Sequence, residues 1–242
     1  MSAVAKFIGV GVGPGPEDLL TLRAVEALRS ANVIFEAVGK NSAFSVSGRV
    51  VDSIDGISAK RAKLVFSMST DPKTRRAAVA ENAERVAREI QSERVCAFAT
   101  IGDPMTYSTY SYLLAELRKL IPNLEVETVP GVTSYQAAAA AAETPLVEND
   151  EILSLVPAFS EENLPQEIFD ASDTLVFLKT YRTRKKILDA VKENWDGFDA
   201  LYAARLGLDG ETVSSDKSAL EDLPEEYLSL LIAKKRKPES RK

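Results

Sequence analysis

The sequence predicts an α/β fold, and three observations indicate it. Short apolar runs such as residues 95–99 are typical of buried strands. Segments with one apolar face follow several of them, and in one such segment apolar residues recur at helical spacing at Val79, Ala83, Val86 and Ile90. Alternation of strand and helix is typical of a largely parallel sheet. The second half has short turns, which indicate some antiparallel pairing.

The elements follow from the same patterns in chain order. Five apolar runs predict strands in the first half, at residues 7–12, 33–35, 64–66, 95–99 and 124–129. Four more predict strands in the second half, at residues 152–156, 174–178, 200–204 and 227–233. A polar segment with Ser and Gly at 40–58 predicts irregular structure. An alanine-rich helix at 137–142 ends at Pro145, and the pattern then restarts, so we predict two domains, 1–144 and 145–242.

The composition is that of an ordinary globular protein. Its 242 residues, 45% hydrophobic and 27% charged, allow one sizeable core or two modest ones. The net charge of −6 argues against binding nucleic acid through a general basic surface. No apolar stretch approaches the roughly 20 residues of a membrane span, and the first residues are too mixed for a signal peptide. We therefore predict a cytoplasmic protein with no membrane or nucleic-acid partner.

The absence of histidine restricts the chemistry. It removes the usual imidazole base and the commonest metal ligand. The single cysteine, Cys96, lies in the predicted strand 95–99, so we expect a buried thiol and neither a disulfide nor a metal site. Catalysis would have to depend on carboxylates, Tyr, Lys or positioning.

The segment after strand 95–99 predicts a ligand-binding loop. The strand stops at Gly102-Asp103-Pro104, and a helix follows. Open α/β sheets bind ligands at the carboxyl ends of their strands. Gly102 permits close approach to the backbone or unusual torsions. For these three residues alone, an ordinary turn between strand and helix is an equal interpretation.

A second glycine-rich loop follows the first strand, with Gly9, Gly11, Gly13 and Gly15. It does not match the dinucleotide-binding pattern, because prolines occupy the positions where the third glycine is required. It does not match a phosphate-binding loop either, because no Gly-Lys-Ser/Thr follows.

Three motifs in this order resemble the tetrapyrrole methyltransferase family. They are Gly9-Val-Gly-Val-Gly-Pro-Gly15, Gly102-Asp-Pro104, and Val129-Pro-Gly-Val-Thr-Ser134 with its alanine-rich helix. Residues 65–71, 102–109 and 145–157 most resemble the members that methylate C20 of precorrin-2 or cobalt-factor II in corrin biosynthesis, the step of cobalamin synthesis that the resemblance implies. Two positions depart from the family pattern, because Pro16 replaces an aspartate and Ser67 a proline. The acids after Pro16, Glu17 and Asp18, are candidates to cap the helix amides.

The resemblance implies a two-domain α/β fold, each domain a mixed sheet flanked by helices, with the cofactor between the domains, and a homodimer. The implied cofactor is S-adenosylmethionine, with S-adenosylhomocysteine as product. Its implied contacts are Pro14, Ile101, Gly102, Asp103, Thr106, Thr133, Ser134, Lys179, Leu206 and Gly207. Helix capping is an equal interpretation of Thr133 and Ser134.

The implied C-methyl transfer needs alignment more than acid–base chemistry. A sulfonium methyl is already activated, and positioning can supply about 7–11 kcal/mol of barrier reduction. Tyr107 and Asp103 are the candidate proton acceptors, with water as a third. Tyr107 and Tyr112 are equally compatible with core or stacking positions, and we expect Tyr110 in the core.

The implied substrate, a reduced tetrapyrrole, has many carboxylates, so basic residues are candidates to bind it. Two clusters offer them, Arg182, Arg184, Lys185 and Lys186, and Lys60, Arg61 and Lys63. We predict substrate contacts at Arg182 and Arg205. Two alternatives stay open: a family member acting at another tetrapyrrole position or on another substrate, such as ribosomal RNA or a diphthamide precursor, and a non-catalytic nucleoside-binding protein. The acidic charge disfavours RNA.

Overall fold

The computed structural model describes residues 5–39, 45–67, 69, 71–92, 94–157, 165–181, 183–223 and 225–236. The chain divides into two compact units, Met1–Thr133 and Ser134–Lys242. No helix within the described ranges is long and apolar enough to span a membrane.

The first unit alternates strands and helices. Its strands are β1 (Lys6–Gly11), β2 (Val33–Gly39), β3 (Lys60–Phe66), β4 (Val95–Thr100) and β5 (Glu125–Val129). Its helices are α1 (Leu22–Ser30), α2 (Val46–Asp52), α3 (Pro72–Gln91) and α4 (Tyr110–Leu120). The strands form one sheet in the order β3-β2-β4-β1-β5, and every pairing between them is parallel. The mixed character implied by the resemblance therefore belongs to the second sheet.

Helices cover both faces of this sheet. On one face, Ala24 and Leu28 of α1 pack on Ile8 and Val10 of β1. On the other face, α3 and α4 pack on the strand side chains that alternate with these, among them Phe7 of β1. Burial on both faces explains why these strands appear in the sequence as continuous apolar runs.

The strand order creates a binding edge. From β1 the chain crosses β4 to reach β2, whereas from β4 it crosses β1 to reach β5. The two neighbouring strands therefore send their connections in opposite directions, and a crevice forms at their carboxyl ends. Gly11 at the end of β1 lies beside Thr100 at the end of β4.

The second unit contains a mixed sheet. Its elements are α5 (Ser134–Ala141), β6 (Leu153–Val156), α6 (Gln166–Ala171), β7 (Thr174–Leu178), α7 (Arg184–Asn194), β8 (Phe198–Ala204), β9 (Thr212–Ser214) and β10 (Ser229–Lys235). The order is β6-β7-β10-β8-β9, in which only the β6–β7 pairing is parallel among the described strands. The predicted antiparallel pairing is confirmed.

The units divide before the alanine-rich helix, whereas the sequence places the boundary after it. Ala138 of α5 is fully buried against Val176, Leu201 and Ile232 of the second sheet. The Lys234 ammonium of β10 also donates to the Pro145 carbonyl, 3.0 Å away. The helix and the loop after it therefore belong to the core of the second unit. The small side chains of α5 let the helix approach that sheet closely.

Two further differences concern helix ends. Glu17 and Asp18 lie exposed in a short 3-10 turn and do not cap α1. Thr21 caps it instead, because its Oγ1 accepts from the Ala24 N–H at 3.1 Å. The segment predicted as irregular contains α2, whose cap is Ser45.

Candidate active site

Three loops leave the carboxyl ends of adjacent strands in the first unit. We call residues 12–16 the glycine loop, residues 101–106 the Gly-Asp-Pro loop and residues 130–133 the Pro-Gly loop. The Gly102 N–H donates to the Gly13 carbonyl at 2.7 Å, and the two residues form an isolated bridge. The first two motifs of the sequence are thus joined through their backbones.

Three glycines, Gly11 at the end of β1 and one in each of the other two loops, come into close contact. A Cβ placed on Gly11 would lie 2.6 Å from both the Gly102 carbonyl oxygen and the Gly131 nitrogen. A Cβ placed on Gly131 would meet the same Gly102 oxygen and would lie 2.8 Å from the Gly11 carbonyl carbon. No real Cβ tolerates such distances, so this glycine crossing allows the three backbones to meet.

Asp103 connects the Gly-Asp-Pro loop to the Pro-Gly loop. Its Oδ1 accepts from the Met105 N–H at 2.8 Å and from the Thr106 hydroxyl at 3.3 Å. Its Oδ2 accepts from the Gly131 N–H at 3.2 Å. Both oxygens of the half-buried carboxylate therefore accept hydrogen bonds from groups of the protein itself.

Gly102 has room beside it, unlike its two glycine neighbours. Its φ of +67° lies in the left-handed region, and a Cβ there would meet only the Val132 carbonyl oxygen, at 4.0 Å. Space next to a backbone without a side chain, at the carboxyl ends of β1 and β4, is what a small ligand requires. The part of the loop around Ile101, Gly102 and Asp103 fits the adenosyl cofactor in this respect.

Tyr107 follows this loop in a strained conformation. Its φ is +48° and its side chain is 48% exposed. A bulky residue with positive φ is an outlier that costs about 1–3 kcal/mol and is concentrated at functional sites. The structure thus presents this ring to solvent near the Gly-Asp-Pro loop instead of packing it in the core.

Tyr110 is a core residue, as predicted. Its ring stacks between Phe7 and Phe98, with centroids 5.8 and 6.3 Å away. Its hydroxyl shares a 2.7 Å hydrogen bond with Thr128, and burial raises the pKa of the phenol despite that bond. Tyr112, by contrast, is 67% exposed on α4.

The other predicted cofactor residues of the first unit belong to the same loops. Pro14 is buried in the glycine loop, Ile101 and Thr106 are half-buried, and Thr133 is buried in the Pro-Gly loop. Ser134, the next residue after Thr133, is the first residue of α5 and begins the second unit. The parallel register of β4, β1 and β5 brings these loops to one edge.

The second unit places its predicted residues at one edge of its own sheet. Lys179 follows β7 and Arg205 follows β8, and both have left-handed backbones, with φ of +59° and +53°. Their N–H groups donate to the carbonyls of Ser229 and Leu228, both at 2.9 Å, so they flank the start of β10. Strained residues on either side of one strand are a second feature typical of a functional edge.

Leu206 and Gly207 differ in what they offer. The Leu206 side chain is buried in the apolar cluster that contains Ala138 and Leu201, so only its backbone is accessible to a ligand. Gly207 is exposed with a φ of +66°, and its N–H donates to the Glu211 carboxylate. The Arg205 guanidinium donates to the Asp209 carbonyl at 2.7 Å and lies 3.7 Å from Glu226.

The comparisons with known proteins agree with this arrangement. Residues 6–222 match the family described as Tetrapyrrole (Corrin/Porphyrin) Methylases. The chain belongs to this family. A probable cobalt-precorrin-2 C(20)-methyltransferase of Methanocaldococcus jannaschii is 36% identical over 96% of this chain and 97% of the relative. A precorrin-2 C(20)-methyltransferase of a Sinorhizobium species is 29% identical over 95% of each chain.

A solved structure supports the fold of this methylase. It is the uroporphyrin-III C-methyl transferase of Thermus thermophilus complexed with S-adenyl homocysteine, with a TM-score of 0.69 and 21% identity. The match covers 95% of this chain and 97% of that chain.

Several residues of the two basic clusters proposed from the sequence form contacts within this methylase itself. Arg184 is only 3% exposed, donates to the carbonyls of Glu221 and Leu223, and lies 4.9 Å from the Tyr202 ring centroid. It therefore stabilises the backbone at Glu221 and Leu223 and is buried away from a substrate, which corrects its place among the candidates. Arg182, a predicted substrate contact, lies outside the described residues.

The other cluster also forms ion pairs. Lys60 pairs with Glu89 at 2.9 Å, and Arg61 pairs with Asp52 at 2.6 Å and with the buried Glu36. Arg61 and Glu36 join β2, β3 and α2, so their charges stabilise the fold.

As predicted, Cys96 is fully buried, and burial raises the pKa of its thiol to about 12. In the described part of the chain, no group of three His, Cys, Asp or Glu side chains is placed to hold a metal.

Sequence reasoning missed the roles of Gly13 and Gly131. Gly13 accepts the hydrogen bond that joins the first two loops, and Gly131 completes the glycine crossing. The available signal was that each of three predicted strands ends at or beside a glycine. The pattern acquires its meaning only when the strands are known to be neighbours.

Proposed function

We propose that this protein transfers a methyl group from S-adenosylmethionine to C20 of a precorrin-2-type tetrapyrrole. The observation on which this depends is the loop cluster of the first unit, in which the backbones of three glycines meet at the carboxyl ends of neighbouring strands and space is open beside Gly102. Membership of the methylase family supports methyl transfer, and the relatives named for C(20) methylation support the position.

The protein's own residues would act by binding and orientation. When bound, S-adenosylmethionine supplies an activated methyl group. The Gly-Asp-Pro and Pro-Gly loops would hold the cofactor through backbone groups. Lys179 and Gly207 stay predicted cofactor contacts. Arg205, which is partly exposed, is the described cation that we propose for a substrate carboxylate. Such positioning can supply much of the barrier reduction.

The reaction releases one proton from the methylated carbon. Tyr107 is exposed beside the Gly-Asp-Pro loop, so a water molecule there, or the Tyr107 oxygen as a phenolate, would take this proton. The homodimer and the cytoplasmic location stay predictions.

The test uses the purified protein with S-adenosylmethionine carrying a labelled methyl group. Precorrin-2 and its cobalt complex are supplied in parallel, and the product is analysed by mass and by the position of the labelled carbon. We expect one added methyl at C20. A methyl at another carbon would identify a different member of the family, and cofactor binding without transfer to either compound would contradict the proposal.

A further inference from the structure

Asp103 has a carboxylate that could act as a base, although methyl transfer does not require one from it. A carboxylate beside a methyl-transfer site is an obvious candidate proton acceptor. In this structure, however, both oxygens already accept hydrogen bonds, Oδ1 from Met105 and Thr106 and Oδ2 from Gly131. Three of the roughly four acceptor positions of a carboxylate are therefore filled by the protein.

The three bonds have different effects on the loops. The two to Oδ1 close a turn within the Gly-Asp-Pro loop. The bond to Oδ2 crosses to another loop, and it ends on Gly131, whose Cα lies against Gly11 in the glycine crossing. One carboxylate thus fixes the shape of one loop and its distance from the next.

We propose that Asp103 is a positioning residue that holds the Gly-Asp-Pro and Pro-Gly loops in register for cofactor binding, and that it does not accept the proton. To take a proton from the substrate, Asp103 would have to use its one remaining acceptor position, on Oδ2, and protonation there would weaken the bond that the same oxygen accepts from Gly131. The Gly131 N–H would then have a poorer partner at a half-buried position, which is unfavourable. Loops held in the binding conformation reduce the ordering cost of binding, so the link acts on affinity.

This inference rests on the proposed use of S-adenosylmethionine, and the tests separate the two. The first measurement is calorimetric binding of S-adenosylhomocysteine to the wild-type protein. Absence of binding would contradict the proposed function itself. Hydrogen exchange of the Gly131 amide then tests the link without any ligand.

Two substitutions distinguish positioning from proton transfer. Asp103→Asn keeps an acceptor for Met105 and Thr106 but can present an N–H group towards the Gly131 N–H. Asp103→Glu keeps a basic carboxylate but displaces it by one methylene. We expect both to accelerate exchange at Gly131 and to weaken S-adenosylhomocysteine binding by about tenfold, the effect of losing one such hydrogen bond.

Turnover at saturating cofactor should fall by less than about threefold in both variants, with the pH profile unchanged, because a positioning residue does not titrate in the reaction. A proton acceptor would behave differently. A loss of about a hundredfold or more in Asp103→Asn, with affinity and Gly131 exchange unchanged and with activity retained in Asp103→Glu, would overturn the proposal.

Asp71 provides a matched control. Its carboxylate also accepts from two backbone N–H groups and one hydroxyl, those of Lys73 and Thr74, at the start of α3 and outside the three loops. Asp71→Asn should leave cofactor affinity and Gly131 exchange unchanged. If it weakened cofactor binding as much as Asp103→Asn does, the effect would be general and the assignment of Asp103 would fail.

Discussion

Gly11 and Gly131 lie so close together that a Cβ on Gly11 would be 2.8 Å from the Cα of Gly131. Gly11 ends β1, Gly131 lies two residues after the end of the neighbouring strand β5, and the Gly102 carbonyl lies against both. Their lack of side chains is therefore a packing requirement, separate from any contact with a ligand.

Gly131→Ala should destabilise the first unit. The added methyl would meet backbone atoms of Gly102 and Gly11, which cannot rotate away as a side chain can, so we expect a loss of about 1–3 kcal/mol or more. Chemical denaturation measures it. Gly39→Ala is the control, because a Cβ on Gly39 has no described atom within 4 Å. Equal stability of the two variants would contradict the packing argument.

Gly102→Val should weaken cofactor binding more than Asp103→Ala. A left-handed φ costs a non-glycine residue about 1–2 kcal/mol, and the branched side chain would also fill the space beside the loop. Gly102→Ala separates the effects, because it adds the strain with little bulk. Calorimetry with S-adenosylhomocysteine ranks the three variants. If Asp103→Ala abolished binding and Gly102→Val did not, the backbone would not be the binding element.

Tyr107→Phe should slow methyl transfer by less than the roughly 10²- to 10⁴-fold expected for loss of a positioned proton-transfer group. Because Tyr107 is exposed, water can reach this position and take the substrate proton in its place, and the variant keeps the ring and its strained backbone. Single-turnover rates at saturating cofactor decide. A thousandfold loss with unchanged affinity would identify the phenol as the base.

Glu127 should make the first unit sensitive to acid. The hydrogen bond from Lys6, and after it that from Arg23, holds the pKa of this carboxyl below its ordinary value of 4.5, although burial opposes the shift. Its contribution to stability is therefore complete above that value and is lost as the pH falls through the lowered pKa. Thermal unfolding between about pH 6 and pH 3 should show a smaller decrease in Glu127→Gln, by about 0.2–1 kcal/mol. An identical pH dependence in both proteins would refute this role.

Arg184→Met should destabilise the second unit without altering chemistry at the site. The substitution removes the donors to Glu221 and Leu223 and leaves those carbonyls to find other partners, at a cost of about 1–3 kcal/mol. Thermal unfolding should register the loss, while methyl transfer per folded molecule stays unchanged. A rise in the KM for the tetrapyrrole at unchanged stability would return Arg184 to the substrate site.

Local patterns predicted most of the strands and long helices. Segments such as β4 and α3 bury one face or both, so their apolar residues recur at regular spacing. The helix α2 was missed because its position depends on a distant ion pair: Gly48 packs directly on Glu36, which pairs with Arg61. The boundary was misplaced because nothing near Ala138 in the sequence identifies the sheet that it packs on.

Part of the site was also predictable from local sequence patterns. Gly-Asp-Pro after an apolar run indicates a loop at the carboxyl end of a strand, and it is one. That Asp103 faces Gly131 depends on which strands are neighbours, and local sequence does not contain that information. Arg184 has the charge of a surface cation, but it is buried and donates to the carbonyls of Glu221 and Leu223, far along the chain.

The glycine crossing has a consequence for biosynthesis of the chain. Its members, Gly11, Gly102 and Gly131, are separated in sequence by almost the whole first unit. Contacts between residues so far apart in the chain have a high entropic cost early in folding. A nascent chain still lacking Gly131 cannot assemble the loop cluster, however well its first four strands have paired. Under the proposed function, cofactor binding could therefore begin only when the last strand of the first sheet has docked, and the bound nucleoside would then stabilise the molecules that have completed folding.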